Sequence, residues 1–454
     1  MENRMNARHV ALDILIQWEE RDGYSNLLLN ESLNRSRLGA RDRGLATELV
    51  YGTVQRRNTL DWILNSLLKQ DLSTLDVWVA QLLRLSVYQM RYLDKIPSRA
   101  AVHEAVDIAK QRGHKGVAGL VNGVLRSYLR RKEEWRLPDP PKTVREWALA
   151  YSHPKWMVRR FQAVYGEEEA RRILEADNRP PEISLRTQPL KNGRKALMDD
   201  LQGEYPEAQI RPSLLSEQGI VFRGGGNPAA SPLYREGRFT IQDESSMLVS
   251  ELVAPRPGQR GADLCAAPGG KSTHLAEQMR DQGDLFAYDF HPHKVRLIEE
   301  NAERLGLSSI EAEAEDARRL PEKSGKSFDF VLLDAPCSGL GVIRRKPDIK
   351  WRKEPREIDE LVRLQKELLE AAAELIVAGG VLVYSTCTME PRENEEQIRD
   401  FLRTHPDFSI DPSFENRLPE AVRQKGWLRK NGVQILPHHF GSDGFFITRL
   451  IRNE

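Results

Sequence analysis

Asp334, Cys337 and Cys387 are the residues of this 454-residue chain whose types and placement best suit covalent chemistry. Asp334 and Cys337 close the stretch Phe328-Asp329-Phe330-Val331-Leu332-Leu333-Asp334-Ala335-Pro336-Cys337-Ser338-Gly339. Its apolar run reads as a strand buried on both faces, as in a parallel sheet. Pro336 cannot continue a central ladder, so the strand must stop there. Ligands of open α/β sheets bind just past the carboxyl ends of strands. A thiol in that position is a candidate nucleophile, provided its surroundings favour the thiolate. A turn-capping Asp and a core-filling Cys are the plainer reading of either residue alone. The next strand, Gly380-Val381-Leu382-Val383-Tyr384-Ser385-Thr386-Cys387-Thr388, also ends in a thiol. Sequential strands of such a sheet tend to be neighbours, so both thiols are expected to face one cleft.

These strands belong to an alternation of strands and helices from Phe239 onward, the pattern of a doubly wound sheet. Its first strand, Arg260–Cys265, runs into Ala266-Ala267-Pro268-Gly269-Gly270-Lys271 and a helix. A glycine turn there lets backbone approach a ligand closely. The second strand ends at Asp289, about 20 residues further on, where an acid can accept hydrogen bonds from ribose hydroxyls. The third, near Ile310–Ala314, is followed by Asp316. A dinucleotide site calls for GxGxxG, which this turn lacks. A P-loop calls for GxxxxGK[ST]; Gly270-Lys271-Ser272 fits its end, but Cys265 stands where its first glycine belongs. A nucleoside cofactor without a phosphate chain fits better, and S-adenosylmethionine is such a cofactor. Lys271 is open to three readings: an ion pair with an active-site acid, an RNA contact, or a surface lysine at a helix start.

The length suggests about two to four domains. Charged residues make up 30% and hydrophobic ones 40%, a globular rather than a disordered composition. No apolar run reaches the ~18 residues of a membrane helix, and no signal core follows Met1, so a cytoplasmic protein without membrane contact is expected. Cys265, Cys337 and Cys387 are too few for a disulfide framework and lack zinc spacing, so no metal is expected. The net charge of +1 hides a basic front: residues 1–140 carry 22 Lys and Arg against 17 Asp and Glu. Residues 7–129 repeat apolar residues at helical spacing, as in Ala11, Ile14, Leu15, Trp18 and Leu82, Leu85, Tyr88, with Gly23, Gly39, Gly52 and Gly113 as punctuation. About six or seven helices are expected. Leu137-Pro138-Asp139-Pro140-Pro141 marks a linker. Beyond it lies a helix and then a small α+β module, open to an RNA-recognition-like reading, but without the aromatic motif that stacks bases.

Arg41-Asp42-Arg43 leading into Leu49-Val50-Tyr51-Gly52, Pro97–Val106, and Val121-Asn122-Gly123-Val124-Leu125-Arg126 resemble the NusB family of RNA-binding domains over residues 5–130. That implies RNA binding, with Arg41, Arg43, Arg56, Arg57, Arg126, Arg130 and Arg131 as side chains to test. Cys265–Lys271, Asp334–Gly339, Ser385–Thr388, Asn394-Glu395 and Asp443-Gly444-Phe445-Phe446 resemble the RNA 5-methylcytosine methyltransferases of the NOL/NOP type. With the NusB-like front, the whole chain is similar to bacterial 16S ribosomal RNA cytosine-C5 methyltransferases. The expected organisation is an all-α NusB-like bundle (1–137), a helical and α+β module (142–235) and a Rossmann-like class I methyltransferase domain (236–454).

The resemblance implies that Cys387 attacks C6 of the cytosine and Cys337 assists release. It places Asp334 with the cofactor residues Cys265, Ala266, Ala267, Pro268, Gly269, Gly270, Lys271, Asp289 and Asp316, and counts it among the catalytic residues too, since it is placed either to bind the methionyl end of the cofactor or to hydrogen-bond the base. It implies 16S ribosomal RNA as partner and S-adenosylmethionine as cofactor; a monomer is expected. A transfer-RNA cytosine methyltransferase and a non-catalytic NusB-like RNA-binding factor are the alternatives, the latter needing neither thiol. The basic segment Ile343–Trp351 after Cys337 would suit a nucleic-acid wall or a solvated loop.

Overall fold

The computed structural model describes residues 6–21, 25–325 and 327–454; the first five residues and the expected turn at Gly23 lie outside them. The chain divides into two compact units, residues 1–179 with 343–352, and residues 180–342 with 353–454.

The first unit is helical. Its bundle comprises α1 (Ala7–Glu20), α2 (Ser25–Arg35), α3 (Ala40–Gln55), α4 (Arg57–Leu67), α5 (Val77–Tyr92), α6 (Ser98–Arg112) and α7 (Lys115–Arg130). Every residue of α5 from Val79 to Met90 is buried, which makes it the central helix. Arg84 and Ser86, brought inside with it, find partners: Arg84 Nε meets Asp61 at 2.6 Å and Ser86 donates to the Leu82 carbonyl. Gly52 lies where a Cβ would overlap the Tyr88 ring, so α3 and α5 approach too closely for any other residue. Two further helices, α8 (Val144–Ala150) and α9 (Lys155–Ala176), belong to this unit, and Asn58 and Thr59 donate to the carbonyls of Ala148 and Leu149. Residues 144–176 thus group with the helical unit, and the strands that follow from Ile183 group with the second.

Residues 343–352 complete the helical unit. Lys350, 1% exposed, donates to the carbonyls of Gln55 and Ser152 and to Asn178 Oδ1. Trp351 Nε1 donates to the Val54 carbonyl, and the Asp348 carboxylate accepts from the backbone and hydroxyl of Ser25. This overturns the nucleic-acid-wall expectation for the segment: Arg344 and Lys350 are buried, Arg345 is half-buried, and Lys346 alone of its basic residues is exposed. A run of basic residues looked solvated in the sequence because the carbonyls that receive Lys350 lie hundreds of positions away.

In the second unit, β1 (Ile183–Thr187), β2 (Gln209–Pro212), β3 (Gly219–Arg223) and β4 (Phe239–Ile241) form an antiparallel sheet in the order β2-β3-β1-β4. Helix Arg194–Glu204 packs its buried Leu197 and Leu201 with Leu185, Ile220 and Phe222 of the sheet. This is a split βαβ arrangement, and its last strand lies past residue 236, where the catalytic domain was expected to begin.

The large sheet contains β5 (Arg260–Asp263), β6 (Asp284–Asp289), β7 (Ile310–Ala314), β8 (Phe328–Asp334), β9 (Ile376–Thr386), β10 (Phe408–Ile410), β11 (Trp427–Arg429), β12 (Gly432–Ile435) and β13 (Phe445–Arg452). The order is β11-β12-β13-β9-β8-β5-β6-β7, with β10 beside β13. Strands β5 to β9 are parallel, and the C-terminal strands add antiparallel to β9. Strand β8 reads as continuously apolar because both faces are covered: Val331 and Leu333 pack into one core layer, Phe330 and Leu332 into the other. The strand order reverses between β5 and β8, which opens a crevice at their carboxyl ends.

Candidate active site

Three strand ends supply the crevice. The ladder pairs Asp334 of β8 with Ser385 of β9, and Ser385 Oγ donates to Asp334 Oδ1 at 2.8 Å. Cys337 follows three residues after Asp334 and Cys387 two after Ser385, so the neighbouring strands carry their thiols to the same place. The two Sγ atoms are 3.4 Å apart, and both cysteines are free and half-buried. The hydrogen bond to Cys387, with burial, pushes the Cys337 thiol well above the ordinary range. Cys337 is thus held as a protonated thiol in contact with the other sulfur.

The turn after β5 brings the third group. Lys271 Nζ meets Asp334 Oδ2 at 2.6 Å and lies 5.2 Å from the centre of the Phe445 ring. Burial works against the ammonium, but Asp334 and then Asp263 outweigh it, and the Lys271 pKa rises. Lys271 is thus paired with the strand-end carboxylate of Asp334 rather than standing as a surface lysine. Gly269 has φ +97°, and a Cβ there would press on the Ile298 backbone, so the turn requires glycine. Cys265 is half-buried, and burial followed by Asp263, Asp334 and Asp289 raises its pKa, which marks it as a wall rather than a nucleophile. Ala266, Ala267 and Pro268 continue the wall. Asp289 closes β6 and accepts from the backbone of Ala267 at 3.3 Å and of His291 at 3.0 Å. Asp316 follows β7, and its carboxylate is gripped by Arg318, which lowers its pKa.

Beneath the thiols lies a buried network absent from the sequence reading. Glu393 accepts from the backbone and hydroxyl of Ser338 and from Gln365 Nε2. Ser338 Oγ and Thr388 Oγ1 are 2.7 Å apart, which joins the residues that follow the two cysteines. Asn394, one of the motif residues, donates to the Thr388 carbonyl and accepts from Thr386. Gly444 of another motif donates to the Gly341 carbonyl, and a Cβ on Gly341 would overlap that backbone. Asp263, on the strand before the glycine turn, was also missed; an acid inside an otherwise small and apolar strand was the available signal. Its Oδ2 accepts from Ser272, while its buried Oδ1 has no partner among the described residues. Burial pushes its pKa up to about 7.

Comparison with known proteins agrees with this geometry. The family described as 16S rRNA methyltransferase RsmB/F matches residues 250–451, the NusB family residues 5–130, and the RsmF/B-like ferredoxin-like domain residues 153–227. A probable ribosomal RNA small subunit methyltransferase B from Bacillus subtilis is 46% identical over 450 residues, covering 98% of this chain and 99% of the relative. The chain belongs to the RsmB/F family of 16S rRNA methyltransferases. A Synechocystis relative described in the same words is 38% identical, with 98% and 99% covered. Among solved structures, PH0851 superposes with a TM-score of 0.80 at 28% identity, 98% of each chain being covered. A methyltransferase homolog protein from Pyrococcus horikoshii gives 0.58 at 30% identity over 68% of this chain and 97% of that one. The ferredoxin-like match agrees with the order of the small sheet, and the RsmB/F match covers the crevice. No helix among the described residues is long and apolar enough to cross a membrane.

Proposed function

We propose that this RsmB/F member methylates C5 of a cytidine in 16S ribosomal RNA with S-adenosylmethionine, and that its two thiols divide the work. The observation that carries the reading is the 3.4 Å approach of Cys337 and Cys387 beside the Lys271–Asp334 pair. Cytosine C5 is a poor nucleophile. Addition of the Cys387 thiolate to C6 makes the ring electron-rich at C5, which splits one hard step into two. The cofactor, when bound, supplies an electrophilic methyl group. After transfer, the C5 proton leaves to a base and the C6–sulfur bond breaks, returning the electron pair to Cys387. Cys337, protonated and in contact with Cys387, assists that departure.

The residues of the turn fit such a cofactor. Asp263 Oδ1 is a buried acceptor with no donor among the described residues, suited to an ammonium group. Asp289 is held by two backbone donors with its carboxylate at the strand end, suited to ribose hydroxyls. Gly269 and Gly270 would admit the methionine part, Asp334 would anchor it, and Asp316 would lie towards adenine. The target base must leave its stack to reach the crevice, so a loop or opened segment of RNA is the substrate. The reading also places the enzyme in the cytoplasm.

The test is transfer of labelled methyl to purified 16S RNA, then mapping of the modified base. Methylation at a single cytosine C5 is expected; labelled transfer RNA instead, or no transfer, would overturn the reading. With Cys387→Ala no methylation and no adduct should form. With Cys337→Ala the enzyme should stay joined to RNA and run as a slower band on a denaturing gel, and the double variant should lose that band. A band in Cys387→Ala alone would reverse the two roles.

A further inference from the structure

Arg186 lies on β1 of the small sheet, and its side chain is fully buried. All five of its N–H donors are used. Nε and Nη2 grip the Glu277 carboxylate at 2.9 and 2.8 Å; Nη2 also donates to Thr273 Oγ1 at 3.0 Å; Nη1 donates to Gln242 Oε1 and, at 2.6 Å, to the carbonyl of Gly270. Gly270, Thr273 and Glu277 lie on one face of the helix Gly270–Gln278 that opens from the glycine turn. Thr273 Oγ1 returns to the Gly269 carbonyl at 2.8 Å, so the guanidinium also fixes the residue before Gly270.

A cation at the first turn of a helix opposes the helix dipole. A fully buried ion pair is also a weak source of stability, since desolvation offsets attraction. Neither general effect explains a guanidinium placed here. Its rigid fork does: a planar group with five directed donors holds several acceptors in one arrangement, and a lysine cannot. The group it holds at Gly270 is one residue from Lys271, whose ammonium reaches Asp334 in the crevice.

We propose that Arg186 is a positioning residue for the methyl-donor turn, and that the ferredoxin-like sheet thereby acts as a clamp on cofactor binding. The inference rests on the reading of that turn as the S-adenosylmethionine site. Losing the fork leaves the Gly270 carbonyl with the longer bond from Thr273 Oγ1 at 3.2 Å, lets the Gly269-Gly270 turn relax and misaligns Lys271 with Asp334.

The test uses the full chain and S-adenosylmethionine itself. Cofactor affinity is measured by calorimetry, RNA affinity by filter binding, and thermal unfolding by fluorescence. Arg186→Lys should weaken cofactor affinity at least tenfold while RNA affinity stays within twofold. Arg304→Met is the control. Arg304 ties the helix Pro292–Leu305 to the small sheet through the carbonyls of Tyr234 and Phe239 and through Thr240 Oγ1; it makes no direct bond to the turn and reaches it only through Asn301, which donates to the Pro268 carbonyl. It should lower the melting temperature yet leave cofactor affinity within twofold. Equal loss of cofactor affinity in both variants would reduce Arg186 to a structural brace. Should Arg186→Lys not fold, Glu277→Gln loosens the same fork and should weaken the cofactor several-fold; unchanged affinity there would overturn the clamp. Absence of binding by the unaltered chain would instead remove the cofactor reading on which the clamp rests.

Discussion

The crevice and the interior of the helical unit each bury a lysine and an aspartate, under opposite terms. In the crevice, Lys271 has a carboxylate at 2.6 Å and its pKa is raised. In the helical unit, Lys350 donates to two carbonyls and an amide oxygen, with no carboxylate among its hydrogen-bond partners in the described residues, and burial drives its pKa well below the ordinary lysine value. Asp289 in the crevice accepts from two backbone amides. Asp177 in the helical unit meets His153 at 3.3 Å, leaves Oδ1 without a partner among the described residues, and is pushed up to about 7 by burial. The difference shows two uses of buried polarity. In the crevice Lys271 keeps its charge through Asp334; in the helical unit polar groups fasten residues 343–352, and Lys350 and Asp177 surrender charge to burial.

The comparison breaks most easily at Lys271. Lys271→Met leaves Asp334 without its cation, and removal of one partner of a buried pair costs about 3–5 kcal/mol. Methyl transfer should fall by about a hundredfold or more in single-turnover assays. A similar loss per folded molecule in Lys350→Met would erase the distinction between the two sites.

The next effect is at Asp289. Asp289→Ala should weaken S-adenosylmethionine binding by about 1.5–3 kcal/mol, as for a lost charge-assisted hydrogen bond. Unchanged affinity by calorimetry in a folded variant would remove Asp289 from the site.

Lys350→Met should act on stability instead, by about 1–3 kcal/mol, because it leaves buried carbonyls without donors. Denaturant unfolding measures it, and transfer by the folded fraction should stay within twofold. Truncation of residues 1–137 would be a poor substitute, since it would remove the Gln55 carbonyl from Lys350 and the Val54 carbonyl from Trp351 together.

The pH dependence sharpens the contrast. Asp177 has its pKa raised in the folded state, so between about 4 and 7 the folded chain binds the extra proton. Its contribution to stability is present below the unfolded pKa and is lost as pH rises towards 7. Asp177→Asn should remove up to one proton's worth of that slope, about 1.4 kcal/mol per pH unit. Identical slopes in the two proteins would show Asp177 ionised in the fold.

The smallest effect is on RNA. Arg57 and Arg131 are engaged by Glu19 and Glu134, and Arg43 donates to the Leu33 carbonyl, whereas Arg41 and Arg126 are exposed. Arg126→Ala should reduce the salt slope of RNA binding by about one, as for one lost phosphate contact, and Arg131→Ala by less. Equal slopes for all three proteins would move the RNA contact away from α7.

Local sequence accounts for the parallel strands β5 to β9, the thiols past the ends of two of them and the glycine turn. Period and composition are local: β8 is apolar throughout because both faces are covered, and Gly269 stands where φ is positive. The motif order placed Asp334, Cys337, Cys387 and Lys271 near strand ends, which fixes their neighbourhood once the sheet closes. Tertiary structure decided what each charge does. Lys271 follows a glycine pair and Lys350 sits in a basic run, and nothing within a few residues of either says which will find a carboxylate. Glu393 was invisible for the same reason, since its partners Ser338 and Gln365 come from other elements. Arg186 was read only as part of an alternating strand. Its role depends on Gly270, Thr273 and Glu277, more than 80 residues away, and hydrogen bonds are short and directional while sequence separation is neither.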